Sequence, residues 1–141
     1  MKPDRMKPLD EQTGVVLLAL LGWGEARGEG PLGIAAVQHV VRNRSLRSGK
    51  PVEQVILAPL QFSCFNHNDP NYPKLLMADD YEPVAWGMCS ALAIGVLGGW
   101  IPDPTGGALN YYAASMPNPP ASTKDWRETA VIGNQIFGVA S

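Results

Sequence analysis

Seven consecutive apolar residues, Val15 to Leu21, run straight into Gly22-Trp23-Gly24-Glu25-Ala26-Arg27-Gly28-Glu29-Gly30. The run is apolar on nearly every side, so it reads as a helix buried on all faces. Such a helix needs packing partners all round, and 141 residues supply one domain with a single sizeable core. Two carboxylates, Glu25 and Glu29, stand where it ends, among glycines and beside Trp23. A charge directly after a buried helix is costly unless it is paired, solvated or used. Flanking glycines keep side chains away and let another molecule approach, so Glu25 is expected to be a catalytic acid at the floor of a cleft.

The rest of the chain falls into place around that helix. Residues 1–8 read as a loose, flexible arm and residues 9–141 as a single catalytic domain. Asp10 or Thr13 can cap the first helix, which extends to about Arg27, with Glu11 adding negative charge to its first turn. Pro31 suits the first position of a second helix with apolar members Leu32, Ile34, Ala35, Val37, Val40 and Val41, ended by Gly49. Arg42, Arg44 and Arg47 gather near its end and read as a solvated terminus complementing the helix dipole. Pro51 opens a short third helix to about Leu57. Residues 58–74 lack periodicity, mix prolines, asparagines and aromatics, and read equally as a binding loop or a pinned surface loop. Asp80 and Pro83 open a further core helix, Val84 to Leu97. Ala108–Ala113 and Thr129–Val139 have strand-like composition, separated by the turn Met116-Pro117-Asn118-Pro119-Pro120. The expected class is mostly α (α+β), with a small β element toward the C-terminus.

Several functions are disfavoured. A net charge of −2 and the lack of a Lys/Arg run argue against nucleic acid as a partner. Two cysteines, Cys64 and Cys89, are too few for a disulfide framework; a single bridge stays open, and two reduced thiols are the favoured reading. His39 and His67 are far apart and no metal-ligand spacing occurs, so neither a metal nor a cofactor is expected. Lys2, Arg5 and Lys7 before the apolar run faintly imitate a secretory signal, but Pro3, Asp4, Pro8, Asp10 and Glu11 interrupt it. The run also falls short of the roughly 20 residues needed to cross a bilayer.

Glu25 and Glu29, four apart on a helix, would have Cβ atoms about 5–6 Å apart. A retaining glycosidase pair stands at a similar distance, roughly 5–5.5 Å, but approaches the scissile bond from two sides of one sugar. Neighbours on one helix face approach from the same side. One carboxylate therefore goes to chemistry and the other to support. Glu25 directly follows the buried run, so desolvation raises its pKa and keeps a proton available. Glu29 would raise it further by its charge, and Arg27 holds either glutamate or caps the helix.

Residues 24–37, Gly24-Glu25-Ala26-Arg27-Gly28-Glu29-Gly30-Pro31 on to Val37, with Val41-Arg42-Asn43-Arg44, resemble the cell wall hydrolases of the spore-cortex-lytic enzyme type. That family shows a GEARGE segment and a Gly-x-x-Ala-Val helix ending in Asn-Arg. Gln61-Phe62-Ser63 matches its QFS element, and Asp103-Pro104-Thr105-Gly106-Gly107-Ala108 with Asn110-Tyr111 its DPTxGA…Y element. Trp126 and Ile132-Gly133-Asn134-Gln135-Ile136-Phe137 resemble its closing Trp…IGxHxF, except that Gln135 stands where the family has His. The resemblance spans roughly residues 14–138.

The resemblance implies a lysozyme-like or lytic-transglycosylase-like fold that cuts peptidoglycan glycan strands between N-acetylmuramic acid and N-acetylglucosamine. Its catalytic glutamate falls on Glu25. Gln61, Ser63, Asn110 and Tyr111 are candidates for bonding acetamido and hydroxyl groups, with Glu29, Tyr112 and Trp126 binding or supporting alongside them. Gln135 keeps donor and acceptor capacity and is expected to be structural or supporting. Two outcomes stay open: a lytic transglycosylase forming a 1,6-anhydro product, which is favoured, and a hydrolytic muramidase. A non-catalytic peptidoglycan-binding module is the rival of another class. The expected setting is a monomeric bacteriophage endolysin, made in the host cytoplasm and reaching the wall after a holin-type partner permeabilises the membrane, without inserting stably there itself. A tail-associated wall-penetrating protein is the weaker variant of the same chemistry.

Overall fold

Helix α1, Gly14–Ala26, is the axis of the molecule in a computed structural model that describes residues 1–59, 61–117 and 119–140. Every residue from Val16 to Trp23 is buried, as the unbroken apolar run requires. Leu17, Leu18, Leu20 and Leu21 are fully covered, each contributing roughly 2 kcal/mol over an exposed leucine. Two longer helices provide the cover: α2, Gly30–Ser48, and α5, Pro83–Leu97, both packed on α1 and on each other. The short α3, Val52–Leu57, closes another side. Thr13 occupies the cap position of α1 in extended conformation, while Asp10 sits in a separate 3₁₀ turn, Leu9–Glu11. Pro31 lies in the first turn of α2, and Gly49 ends it at φ 74°, a left-handed conformation that favours glycine.

The aperiodic stretch after α3 is a connection of 3₁₀ turns, Ser63–Phe65 and Tyr72–Met77, leading into one turn of helix, α4, Ala78–Tyr81. Strands β1, Asn110–Ala113, β2, Trp126–Ile132, and β3, Gln135–Ala140, form an antiparallel sheet in the order β1-β3-β2. The segment 129–139, whose composition reads as a strand, is a hairpin. Gly133-Asn134 makes its turn, and β2 starts earlier, at Trp126. Tyr111 pairs with Phe137 and Ala113 with Gln135, so these four share one sheet face. Phe137 enters the core. The architecture is thus mostly helical with a small C-terminal sheet. Leu60 in the long connection, Asn118 in the proline-rich turn and the final Ser141 lie outside the described residues.

Segment 1–8, expected as a loose arm, makes contacts with the body. The Trp86 indole donates to the carbonyl of Met1 at 2.8 Å, and Arg5 pairs with Asp79 at 2.5 Å. Gln12 exchanges hydrogen bonds with the backbone of Asp4. Among the described residues, no helix is long and apolar enough to cross a membrane.

Candidate active site

Glu25 lies in the last turn of α1, half-buried, where the helix meets the turn Ser63–Phe65. Ser63 Oγ donates toward its carboxylate, 3.2 and 3.4 Å from the two oxygens. Burial raises the Glu25 pKa above the ordinary value. Hydrogen bonds from the Ser63 hydroxyl and from the Cys64 and Ser63 backbone pull it down, without overcoming the desolvation. The neighbouring charge that adds to the rise belongs to Asp69, from the long connection, where the sequence reading expected Glu29.

Glu25 opens onto a cavity of about 530 Å³. Gln61, Phe62, Ser63 and Asn66 line it from the long connection, Tyr111, Tyr112 and Ala113 from β1, Gln135 from β3, and Arg44 from α2. Five residues singled out in the sequence, Glu25, Gln61, Ser63, Tyr111 and Tyr112, are therefore brought together from three parts of the chain. Burial, with the nearby charge of Glu25, pushes the Tyr111 phenol well above its usual range. It stays protonated, a donor or acceptor beside the acid.

The remaining candidates lie behind this wall. Asn110 Oδ1 accepts from Arg44 at 3.2 Å, and the Trp126 ring packs 5.7 Å from that of Tyr112. Glu29 does not line the cavity. Its Oε2 faces the β2–β3 turn, 3.1 Å from where a Cβ on Gly133 would stand. Arg27 holds neither glutamate: it donates to the Trp23 carbonyl and to Asn71 Oδ1, pairs with Glu82, and covers the Trp23 ring at 4.0 Å.

Arg44 is the residue the sequence reading missed. Assigned there to a solvated helix end, it is half-buried and donates to the Leu109 carbonyl at 2.6 Å, to Gln61 Oε1 and to Asn110 Oδ1. Helical periodicity carries no trace of this, because its partners are brought in by β1 and the long connection. Gln135 is also closer than expected. It is 6% exposed at the cavity wall, and its Oε1 has no hydrogen-bond partner among the described residues.

Asp103, the carboxylate of the DPTxGA element, is consumed by structure. Its Oδ1 accepts from the Thr105 backbone and hydroxyl, and its Oδ2 from Asn43 and the Gly107 backbone. Burial pushes its pKa up, but these bonds outweigh it and hold the carboxyl below its usual range. Cys64 and Cys89 are buried and unpaired, and desolvation pushes Cys89 up to about 12. His39 is buried with Nε2 2.9 Å from the Ile101 carbonyl, and His67 stacks on Tyr72. Among the described residues, no group of three or more His, Cys, Asp or Glu is placed to hold a metal.

Two solved structures share this fold over nearly the whole chain. The catalytic domain of the germination-specific lytic transglycosylase SleB from Bacillus anthracis superposes with a TM-score of 0.69 at 23% identity, covering 96% of this chain and 98% of that one. The catalytic domain of the Bacillus cereus SleB protein gives 0.67 at 25% identity, covering 96% and 94%. The fold is that of the SleB catalytic domains. No curated protein matches the chain in sequence. The profile of the cell wall hydrolase family matches residues 28–138, most of the chain. This protein belongs to the cell wall hydrolase family.

Proposed function

We propose that this chain cleaves the β-1,4 bond between N-acetylmuramic acid and N-acetylglucosamine in peptidoglycan, as a lytic transglycosylase. The observation that carries the reading is Glu25, a half-buried carboxyl with a raised pKa, and the one carboxylate among the described residues lining the large cavity. Glu25 donates its proton to the glycosidic oxygen as that bond breaks, and positive charge develops on the muramoyl ring. The carboxylate left behind then removes the proton from the muramoyl 6-hydroxyl, whose oxygen closes on C1. The products are a 1,6-anhydromuramoyl end and a free 4-hydroxyl on the departing sugar, and Glu25 is protonated again. One group serves as acid and then base, which fits a cavity lined by no second carboxylate among the described residues, with Asp103 of the DPTxGA element occupied by four donated hydrogen bonds. The neutral Tyr111 phenol, Gln61 and Asn66 supply polar contacts to acetamido and hydroxyl groups, and the Tyr112 ring offers an apolar face. The SleB catalytic domains, one of them described as a lytic transglycosylase, support the same class.

Digested sacculi analysed by mass spectrometry test this. The expected products are muropeptides one water lighter than hydrolytic ones. Reducing ends carrying the added water would replace the proposal with a muramidase, and undigested sacculi in a protein that still binds them would replace it with a binding module.

The same geometry makes a pH prediction. The acid must be protonated to act, so kcat/KM falls as pH rises through the Glu25 pKa. Ser63 holds that pKa down through its hydrogen bond to the carboxylate. Ser63→Ala leaves desolvation less opposed, and the alkaline limb of the kcat/KM profile is expected to move to higher pH. A limb that stays put, or moves down, would contradict the assignment of that limb to Glu25.

A further inference from the structure

Two further cavities share lining residues with the Glu25 cavity. Beyond Phe62 and Asn66 lies a cavity of about 350 Å³, and beyond Arg44 and Gln61 another of about 280 Å³. The second of these is cationic. Its lining contains Arg44, Arg47 and Lys50 and no carboxylate, in a chain whose net charge is −2. Glu53, the acidic residue nearest in sequence, is turned away toward the start of α1, its Oε1 2.7 Å from where a Cβ on Gly14 would stand. Arg44 is spoken for by Leu109, Gln61 and Asn110. Arg47 and Lys50, by contrast, have no ion pair among the described residues. The remaining lining is neutral: Ser48, Gln54, Val55, Ala58 and Leu109.

We infer that this cationic pocket, which shares Arg44 and Gln61 with the Glu25 cavity, is a binding site for the free carboxylates of the peptide stem on a muramoyl residue. The inference rests on the proposed function, because it takes glycan in the central cavity as given. The stem leaves the sugar sideways through the lactyl ether, so a strand lying along the Glu25 cavity must send its stem into a flanking space. The cavity beyond Phe62 and Asn66 is lined by prolines, leucines and aromatics together with Asp10 and His67, and by no arginine or lysine. The pocket beyond Arg44 and Gln61 offers two cations that make no ion pair among the described residues. Its edge is Gln61 Oε1 accepting from Arg44 at 3.2 Å, so the charged groups begin where the catalytic cavity ends. Stem-bearing strands should therefore bind more tightly than strands whose stems carry no charge.

Binding of a soluble disaccharide-tetrapeptide with free stem carboxylates is compared with that of the same molecule after those carboxylates are converted to carboxamides. Calorimetry is run on the wild type and on the double variant Arg47→Gln/Lys50→Gln, whose substitutions lie on the exposed surface and whose fold is checked by its melting curve. The wild type is expected to prefer the free carboxylates by roughly three- to tenfold, the range for two partly exposed ion pairs. The double variant should lose that preference while its affinity for the amidated ligand changes less than twofold. Equal affinity of the wild type for both ligands would overturn the inference, as would a preference that survives in the variant. Digestion of sacculi is read separately. Digestion without a charge preference removes the inference and leaves the cleavage reading standing, and a charge preference without digestion does the reverse.

Discussion

Glu25→Gln is expected to lower the turnover of peptidoglycan by roughly 10²- to 10⁴-fold, the range contributed by a positioned general acid–base group. The loss should fall on kcat, because glutamine is nearly isosteric and keeps the contact with Ser63. Stability should not fall with it. Burial raises the Glu25 pKa, so the charged form is disfavoured in the folded protein. The contribution of Glu25 to stability is therefore fully present below the unfolded-state pKa of a glutamate and is lost as pH rises through the raised folded value. At neutral pH the neutral glutamine is expected to be as stable as the wild type or more so, and the difference should vanish in acid. Melting curves of both proteins at two pH values check this alongside the rates. Wild-type turnover in the variant would remove Glu25 from the chemistry.

Gly24→Ala is the second large effect, on stability and turnover together. A Cβ at Gly24 would stand 2.7 Å from Cys64 Cβ and 2.8 Å from its Sγ, and Cys64 is fully buried with no room to retreat. The turn Ser63–Phe65 must then move away from α1. Overpacking of this kind costs about 1–3 kcal/mol, and the gain in helix propensity of up to about 1 kcal/mol is smaller so close to a helix end. The net loss lowers Tm by roughly 3–10 °C for a chain of this length. Because the turn carries the hydroxyl and backbone donors of Ser63 and Cys64 to Glu25, a shift of a fraction of an ångström should also lower turnover by about 10- to 100-fold. Gly28→Ala is the control. Nothing lies within 4 Å of the added methyl there, so thermal melts and rates should stay near wild type. Equal effects at the two glycines would contradict the close approach of the Cys64 turn.

The helices were legible because their signals are local. The apolar run marks α1, Pro31 and Gly49 bracket α2, and Pro83 opens α5, each by chain chemistry that needs no partner. The candidate acid was legible for a related reason: a carboxylate at the end of a wholly buried helix has few places to go. The hairpin β2–β3 was blurred because residues 129–132 and 136–139 share one strand-like composition, and the Gly133-Asn134 turn between the strands is only two residues long. Arg44 was assigned to the dipole at the end of α2, which explains a terminal cation without any tertiary contact. Only the arrival of Leu109 and Asn110 beside it makes it part of the site. Glu29, and Arg27 as a holder of either glutamate, were misplaced in the opposite sense, although Arg27 does donate to the Trp23 carbonyl at the end of α1, the capping alternative. Their nearness to Glu25 in sequence suggested support, but the 3₁₀ turn Arg27–Glu29 sends one to Gly133 and the other to Glu82. Local sequence placed the Glu25 carboxyl at the end of α1, and residues far away in the chain built its surroundings.

The account depends on a carboxyl that keeps its proton while facing an open cavity. Carboxyl-labelled glutamate followed by carbon NMR across a pH titration measures this directly, with Glu25→Gln identifying the resonance. The Glu25 signal is expected to titrate above the ordinary glutamate value of about 4.3 and to shift when a soluble glycan fragment is added. A resonance that titrates at or below that value and ignores the glycan would contradict the account.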